Sequence, residues 1–213
     1  MKKRILLLLI FLTSLTLLNS NITSAEGPKN YLKGKFYSSV KNHFLIATEK
    51  MKDNRFSKTV IVMLESDEKG AWGFVVNKPI GVMPVALLLD PSLNTSEERE
   101  DLFKINIPVF WGGPVDTKEI FILHSTEYKS ETTKNYGNIS ISQDYAILFD
   151  IAKNNGPKKS LVILGYSGWG SSQLEGEMER DHWILSDIDL DVIFDKEINK
   201  KWDAAYKNSF IKI

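Results

Sequence analysis

The chain has 213 residues, with 27 Lys+Arg, 27 Asp+Glu, three His and no Cys; 43% are hydrophobic and 11% aromatic. That length suits one domain with a real core, and the composition excludes a disordered or collagenous chain. Without cysteine there are no disulfides, Cys-ligated zinc, Fe–S clusters, thiol catalysis or lipoprotein attachment.

Met1-Lys2-Lys3-Arg4 is a basic start, Ile5 to Leu18 an apolar run, and Thr23-Ser24-Ala25 a stretch with small residues at positions −3 and −1. This pattern predicts a secretory signal peptide over 1–25, cleaved after Ala25, and hence a periplasmic or secreted protein. The run is shorter than the ~20 residues that span a bilayer, with an uncleaved signal anchor as the alternative; no later stretch approaches that length, so no stable membrane insertion is expected after cleavage. Losing Lys2, Lys3 and Arg4 leaves 24 cationic against 27 acidic residues, a balance of −3. Nucleic acid is therefore not an expected partner.

Residues 26–42 are polar and Lys-rich and read as a flexible N-terminal arm; the domain follows over 43–213. Phe44–Ala47 is a strand candidate. Thr59–Leu64 and Ala71–Val76 flank Asp67-Glu68-Lys69-Gly70 and predict a β-hairpin, ended by Asn77-Lys78-Pro79. A short apolar helix is expected over Pro84–Leu89 and a surface helix over about Ser96–Lys104. Strands are expected at Ile107–Trp111 and Glu119–His124, flanking Gly112-Gly113-Pro114, and another at Asn138–Ile141. Ser142 reads as the N-cap of a helix running to about Lys153. After it come a strand at Ser160–Leu164, a Gly-rich loop, a helix at Ser171–His182, a strand at Leu190–Phe194 and a helix at Lys196–Asn208. Short strands, tight turns and irregularly placed helices argue a single α+β domain.

The loop Gly165-Tyr166-Ser167-Gly168-Trp169-Gly170 invites two enzyme signatures. A nucleophile elbow needs a small residue two beyond the serine, where Trp169 stands. A phosphate-binding loop needs a lysine where Ser171 stands. Both fail at a position with a mechanistic task. A Gly-rich turn into a helix still offers free N–H groups to an anion or a carbonyl; alternatively, its glycines only permit positive φ and close packing. His124-Ser125 suggests a nucleophile–base pair, but neighbouring strand residues point to opposite faces, so a structural histidine is expected. Glu175, Glu179 and His182 share a helical spacing and read as a solvated face, with Leu174 and Met178 toward the core.

Four blocks, taken together, resemble the AlgH/YqgE family of bacterial proteins. They are Arg55-Phe56; Gly70-Ala71-Trp72-Gly73-Phe74-Val75-Val76-Asn77-Lys78-Pro79; Gly112-Gly113-Pro114-Val115 with Leu123-His124-Ser125; and Gly165–Gly170 continuing through Gln173-Leu174-Glu175 and Glu177 to Trp183. The resemblance covers about residues 43–207. It implies a bent, mostly antiparallel sheet forming a pseudo-barrel with peripheral helices. It implies no agreed catalytic residue and no cofactor; the family is named for a regulator of exopolysaccharide synthesis, and its molecular function is not established. Ser66, Ser167 and Ser171 depart from the family's usual residues, as does the export signal.

The leading expectation is a non-enzymatic exported module that binds a small anionic or carbonyl-bearing ligand, or a protein partner. Its expected surface comprises Asn77, Gly112, Gly113, His124, Gly165, Gly168, Trp169, Gln173 and Glu175. The alternatives are a hydrolase with His124 as base and Glu175 as orienter or acid, and a transcriptional regulator. A further alternative is that these residues only build the fold.

Overall fold

The computed structural model describes residues 40–89 and 96–209. The expected signal peptide, and the expected arm as far as residue 39, lie outside the described residues. Among the described residues ten strands form one mostly antiparallel sheet curled into a half-barrel, with four α-helices. The strands are β1 His43–Ala47, β2 Val60–Asp67, β3 Gly70–Val75, β4 Pro79–Pro84, β5 Asn106–Trp111, β6 Val115–His124, β7 Lys134–Tyr136, β8 Ile139–Ser142, β9 Ser160–Gly170 and β10 Trp183–Asp187. The helices are α1 Ser96–Lys104, α2 Ala146–Ala152, α3 Gln173–Glu179 and α4 Ile198–Lys207. The main path through the sheet is β10-β1-β2-β3-β9-β6-β8-β7, and β5 joins β9 in parallel while carrying β4.

The central strands read as unbroken apolar runs because both faces are covered. Phe44, Ile46, Val60 and Val62 pack with Phe74, Phe121 and Ile163 on one face. Leu45, Ala47, Ile61 and Met63 pack with Trp169, Leu174, Met178 and Trp183 on the other. The expected hairpin is β2–β3, and Leu174 and Met178 do anchor α3 to the core.

Several expectations fail for identifiable reasons. The segment Gly165–Gly170 is not a loop: β9 runs on to Gly170, pairing Gly73↔Ser167, Trp72↔Gly168, Ala71↔Trp169 and Gly70↔Gly170. Glycine reads locally as a breaker, but here it lets β9 exchange neighbours, with Gly165 at φ +69° between the pairing with β5, which ends at Leu164, and the pairing with β3, which begins at Ser167. Helix α3 ends at Glu179, and Trp183 opens strand β10 instead. Residues Asp191–Asp195 form a π-helical turn, not a strand. Ser142 closes β8, and the cap of α2 comes from Asp144, whose Oδ1 accepts from the Ile147 N–H at 3.1 Å. Pro79 opens the additional strand β4, and Pro84–Leu89 holds only a 3-10 turn at Val85–Leu87. Among the described residues no helix is long and apolar enough to cross a membrane.

Helix α4 buries a cation. Lys201 is 2% exposed, and its Nζ donates to the carbonyls of Val76 at 3.1 Å and Ile193 at 2.5 Å. Burial pushes its pKa down to about 8. Between that value and the unfolded value near 10.5, the unfolded chain holds the proton that the folded chain has released. Stability should therefore rise with pH, by about 2 kcal/mol from pH ~7 to ~9.5. Urea unfolding across that range should show the rise, and Lys201→Met should flatten it. An equal slope in both proteins would contradict the assignment.

Candidate functional site

Segments far apart in sequence meet on the α3 side of the sheet. The turn carrying Arg55 and Phe56, the corner at Pro114, the end of β9, helix α3 and the start of β10 enclose a cleft of about 300 Å³. Its floor is aromatic. The Phe56 ring lies 5.4 Å from Trp111 and 5.6 Å from Trp183, and Trp169 and Trp183 meet edge-to-face at 5.9 Å.

Glu177 organises this floor. Its Oε2 accepts from Trp169 Nε1 at 3.0 Å and from Trp183 Nε1 at 2.7 Å, while its Oε1 accepts from Gln173 Nε2 at 3.2 Å. Gln173 in turn uses its Oε1 to accept from the Gly170 N–H at 3.1 Å, tying α3 to the end of β9. Gln173 and Glu177 can cooperate because positions i and i+4 stand one above the other on a helix.

The rim is cationic. Arg55 is committed to Asp53 through Nε at 3.1 Å and Nη2 at 2.6 Å, and that bond is the main cause holding the Asp53 carboxyl below its usual range. Lys52, Arg180 and the His182 ring also line the cleft and have no hydrogen-bond or ion-pair partner among the described residues. Asp53 and Glu177 are the acidic members, and both are already hydrogen-bonded. The site is thus an aromatic floor beneath unpartnered cations, suited to an anion that carries an apolar ring.

Of the expected surface, Gly168, Trp169 and Gln173 line this cleft. Gly112, Gly113 and Gly165 lie beneath it as a backbone crossing. The Gly112 N–H donates to Leu164 O at 2.8 Å, and Gly112 O accepts from Val75 N at 3.0 Å and from Ser167 Oγ at 3.0 Å. Glu175 is half-buried on α3 and does not line the cleft. Asn77 sits elsewhere: its Oδ1 accepts from Val60 N at 2.9 Å and its Nδ2 donates to Lys58 O at 2.8 Å, tying the start of β2 to the chain just after β3. Helix α3 ends before His182, so the expected face of Glu175, Glu179 and His182 does not form.

His124 is 0% exposed at the opposite end of β9, paired with Ser160. Its Nε2 meets Ser142 Oγ at 3.0 Å and its Nδ1 meets Ser125 O at 2.9 Å. Burial is the main cause holding its pKa below the usual value, so the ring is neutral. The histidine and Glu175 are not brought together, and the hydrolase pairing has no common site.

Sequence reading missed Phe56, Glu177, Arg180 and Trp183 as site residues. One usable signal was present: a Gln-x-x-x-Glu spacing directly after a tryptophan-bearing segment. Among the described residues no group of three or more His, Asp or Glu side chains converges to hold a metal ion.

A family model described as AlgH-like matches residues 44–213. A UPF0301 protein of Stutzerimonas stutzeri is 36% identical over 168 residues, covering 79% of this chain and 87% of that protein. Another, from Shewanella oneidensis, is 36% identical over 171 residues, covering 80% and 91%. The solution structure of the AlgH protein from Pseudomonas aeruginosa superposes with a TM-score of 0.67 at 34% identity, over 82% of this chain and 90% of that one. A Corynebacterium diphtheriae protein shares the fold at 14% identity, with a TM-score of 0.57 over 77% and 84%.

Proposed function

The chain belongs to the AlgH-like family, and on that footing we propose that it is a non-enzymatic binding module whose ligand is a small anion bearing an apolar ring. The observation that carries this reading is the cleft around Glu177. Two indole N–H groups and the Gln173 amide hold the carboxylate, so the aromatic floor is fixed before a ligand arrives. Lys52 and Arg180 stand over that floor with unused donors. A ligand carboxylate or phosphate would take those donors while its ring stacked on Phe56.

Trp169 and Trp183 report on this site directly. Titration with benzoate and with phenyl phosphate should give a saturable change in indole fluorescence. Lys52→Ala with Arg180→Ala should weaken binding by about tenfold or more, as loss of charge-assisted hydrogen bonds does. Saturation by neither probe, or equal affinity in the double variant, would overturn the reading.

We also propose that the protein is exported and acts in the periplasm or outside the cell. Its support is the basic, apolar and small-residue order of positions 1–25. Mass spectrometry of the protein from its native cell should find a mature chain beginning at Glu26. An intact Met1 in a cytosolic pool would refute export.

A further inference from the structure

A second cleft, of about 710 Å³, opens beyond β9 from the first, between β3, the start of β6 and the end of β9. Trp72 stands in its wall. The Tyr166 ring meets Trp72 edge-to-face at 5.8 Å and 74°, and the Tyr136 ring does so at 6.4 Å and 87°. Two tyrosine rings are thereby set at steep angles around one indole. Glu65 joins them: its Oε2 accepts from Trp72 Nε1 at 3.1 Å and its Oε1 from Tyr136 Oη at 3.1 Å. Both partners are neutral, so the carboxylate's charge has no cationic counterpart in these bonds.

The empty volume has a specific origin. Gly168 pairs with Trp72 across β3 and β9, and a Cβ built on it would point at the Tyr166 ring, 3.3 Å from Cε2. Any larger side chain there would fill the space in front of Trp72 and Tyr166. The absent side chain therefore keeps the aromatic wall accessible. Asp67 adds a second carboxylate to the lining, which also includes Lys69; the Asp67 Oδ1 accepts from the Lys69 backbone N–H at 2.8 Å. Tyr166 is raised in pKa by burial first and then by the Asp116 carboxylate, and Tyr136 is pushed up to about 12 by burial and Glu65. Both phenols thus stay neutral, and their faces keep the negative potential that attracts a cation.

We infer that the cleft walled by Trp72 and Tyr166, with Glu65 at its edge and Gly168 leaving it open, is a binding site for an organic cation of the quaternary or alkylated ammonium class. Such a cation gains from aromatic faces and from a nearby carboxylate without needing hydrogen bonds of its own. This site is distinct in chemistry from the anion cleft across β9, although Gly168 and Trp169 border both.

The test uses choline as probe and 3,3-dimethylbutanol, its uncharged isostere, as control, on the full domain. Two-dimensional NMR resolves the Trp72 indole N–H from those of Trp169 and Trp183, so the two clefts are read separately. Choline should shift the Trp72 signal saturably, and the isostere should bind about tenfold more weakly or not at all. Glu65→Gln and Gly168→Leu should each weaken choline by about tenfold while retaining the folded spectrum. If Gly168→Leu does not fold, Glu65→Gln and the isostere comparison decide. Absence of a saturable shift, equal binding of the uncharged isostere, or full affinity in Glu65→Gln would overturn the assignment.

Discussion

Gly113→Ala is expected to destabilise the protein by about 4 kcal/mol, combining backbone strain with overpacking. Gly113 has φ +152°, a region that side-chain-bearing residues rarely enter. A Cβ there would lie 2.2 Å from both the carbonyl carbon and the oxygen of Tyr166, and 2.3 Å from Ser167 N. All three are backbone atoms of β9, which is fixed at this point by its pairing with β3 and β6. No side chain can swing aside, so the strain must move a central strand. Gly170→Ala is the matched control, because a Cβ there meets nothing within 4 Å and its φ is ordinary. It should fall within about 0.5 kcal/mol of the parent. Urea midpoints for the two variants check both expectations; similar midpoints would mean that the crossing at Gly113 is looser than described.

Trp183→Ala is the second large effect, with an expected cost of about 3–5 kcal/mol. The residue is 1% exposed, packs on Phe56 and Trp169, and heads β10, where it pairs with Ala47. Its loss would leave a void on the α3 side of the sheet and take the shorter of the two indole bonds from Glu177. For a domain of this size the melting temperature should drop by about 10 °C. Trp183→Phe separates packing from hydrogen bonding. It keeps most of the apolar contact but removes the N–H, so stability should fall by only about 1–2 kcal/mol. Calorimetry of the two variants should show this order. If Phe is as damaging as Ala, the indole bond, not the ring, is the main contribution.

The same tryptophan shows how far a linear reading reaches. Residues 44–47, 59–64 and 71–76 announce strands and a hairpin because both faces of β1, β2 and β3 are covered, and continuous apolar runs are the local trace of that burial. The α4 segment and the core-facing pair Leu174 and Met178 are legible for a similar reason, since helical spacing and burial coincide there. Four blocks scattered over the chain also point to the family, and the family model agrees. Signals of this kind live within a few residues of one another, or in the recurrence of whole blocks.

Tertiary structure alone decides the rest. Gly165–Gly170 has the composition of a loop, yet pairing with β3 at four positions and with β6 at Tyr166 makes it a strand. Cross-strand pairing is non-local, and local propensity cannot outvote it. His124 looks accessible at a strand end, but the Ser142 hydroxyl from β8 closes over it. Glu177 is one of many acidic residues in the sequence; only the approach of β9 and β10 sets two indole N–H groups on its carboxylate. The hairpin, the principal strands, the closing helix and the family are legible along the chain, because each is written in local pattern or in motif. Which residues share a cleft is decided by the crossing at Gly112 and Gly113 and the bend at Gly165, since closure of the sheet brings distant segments within contact range.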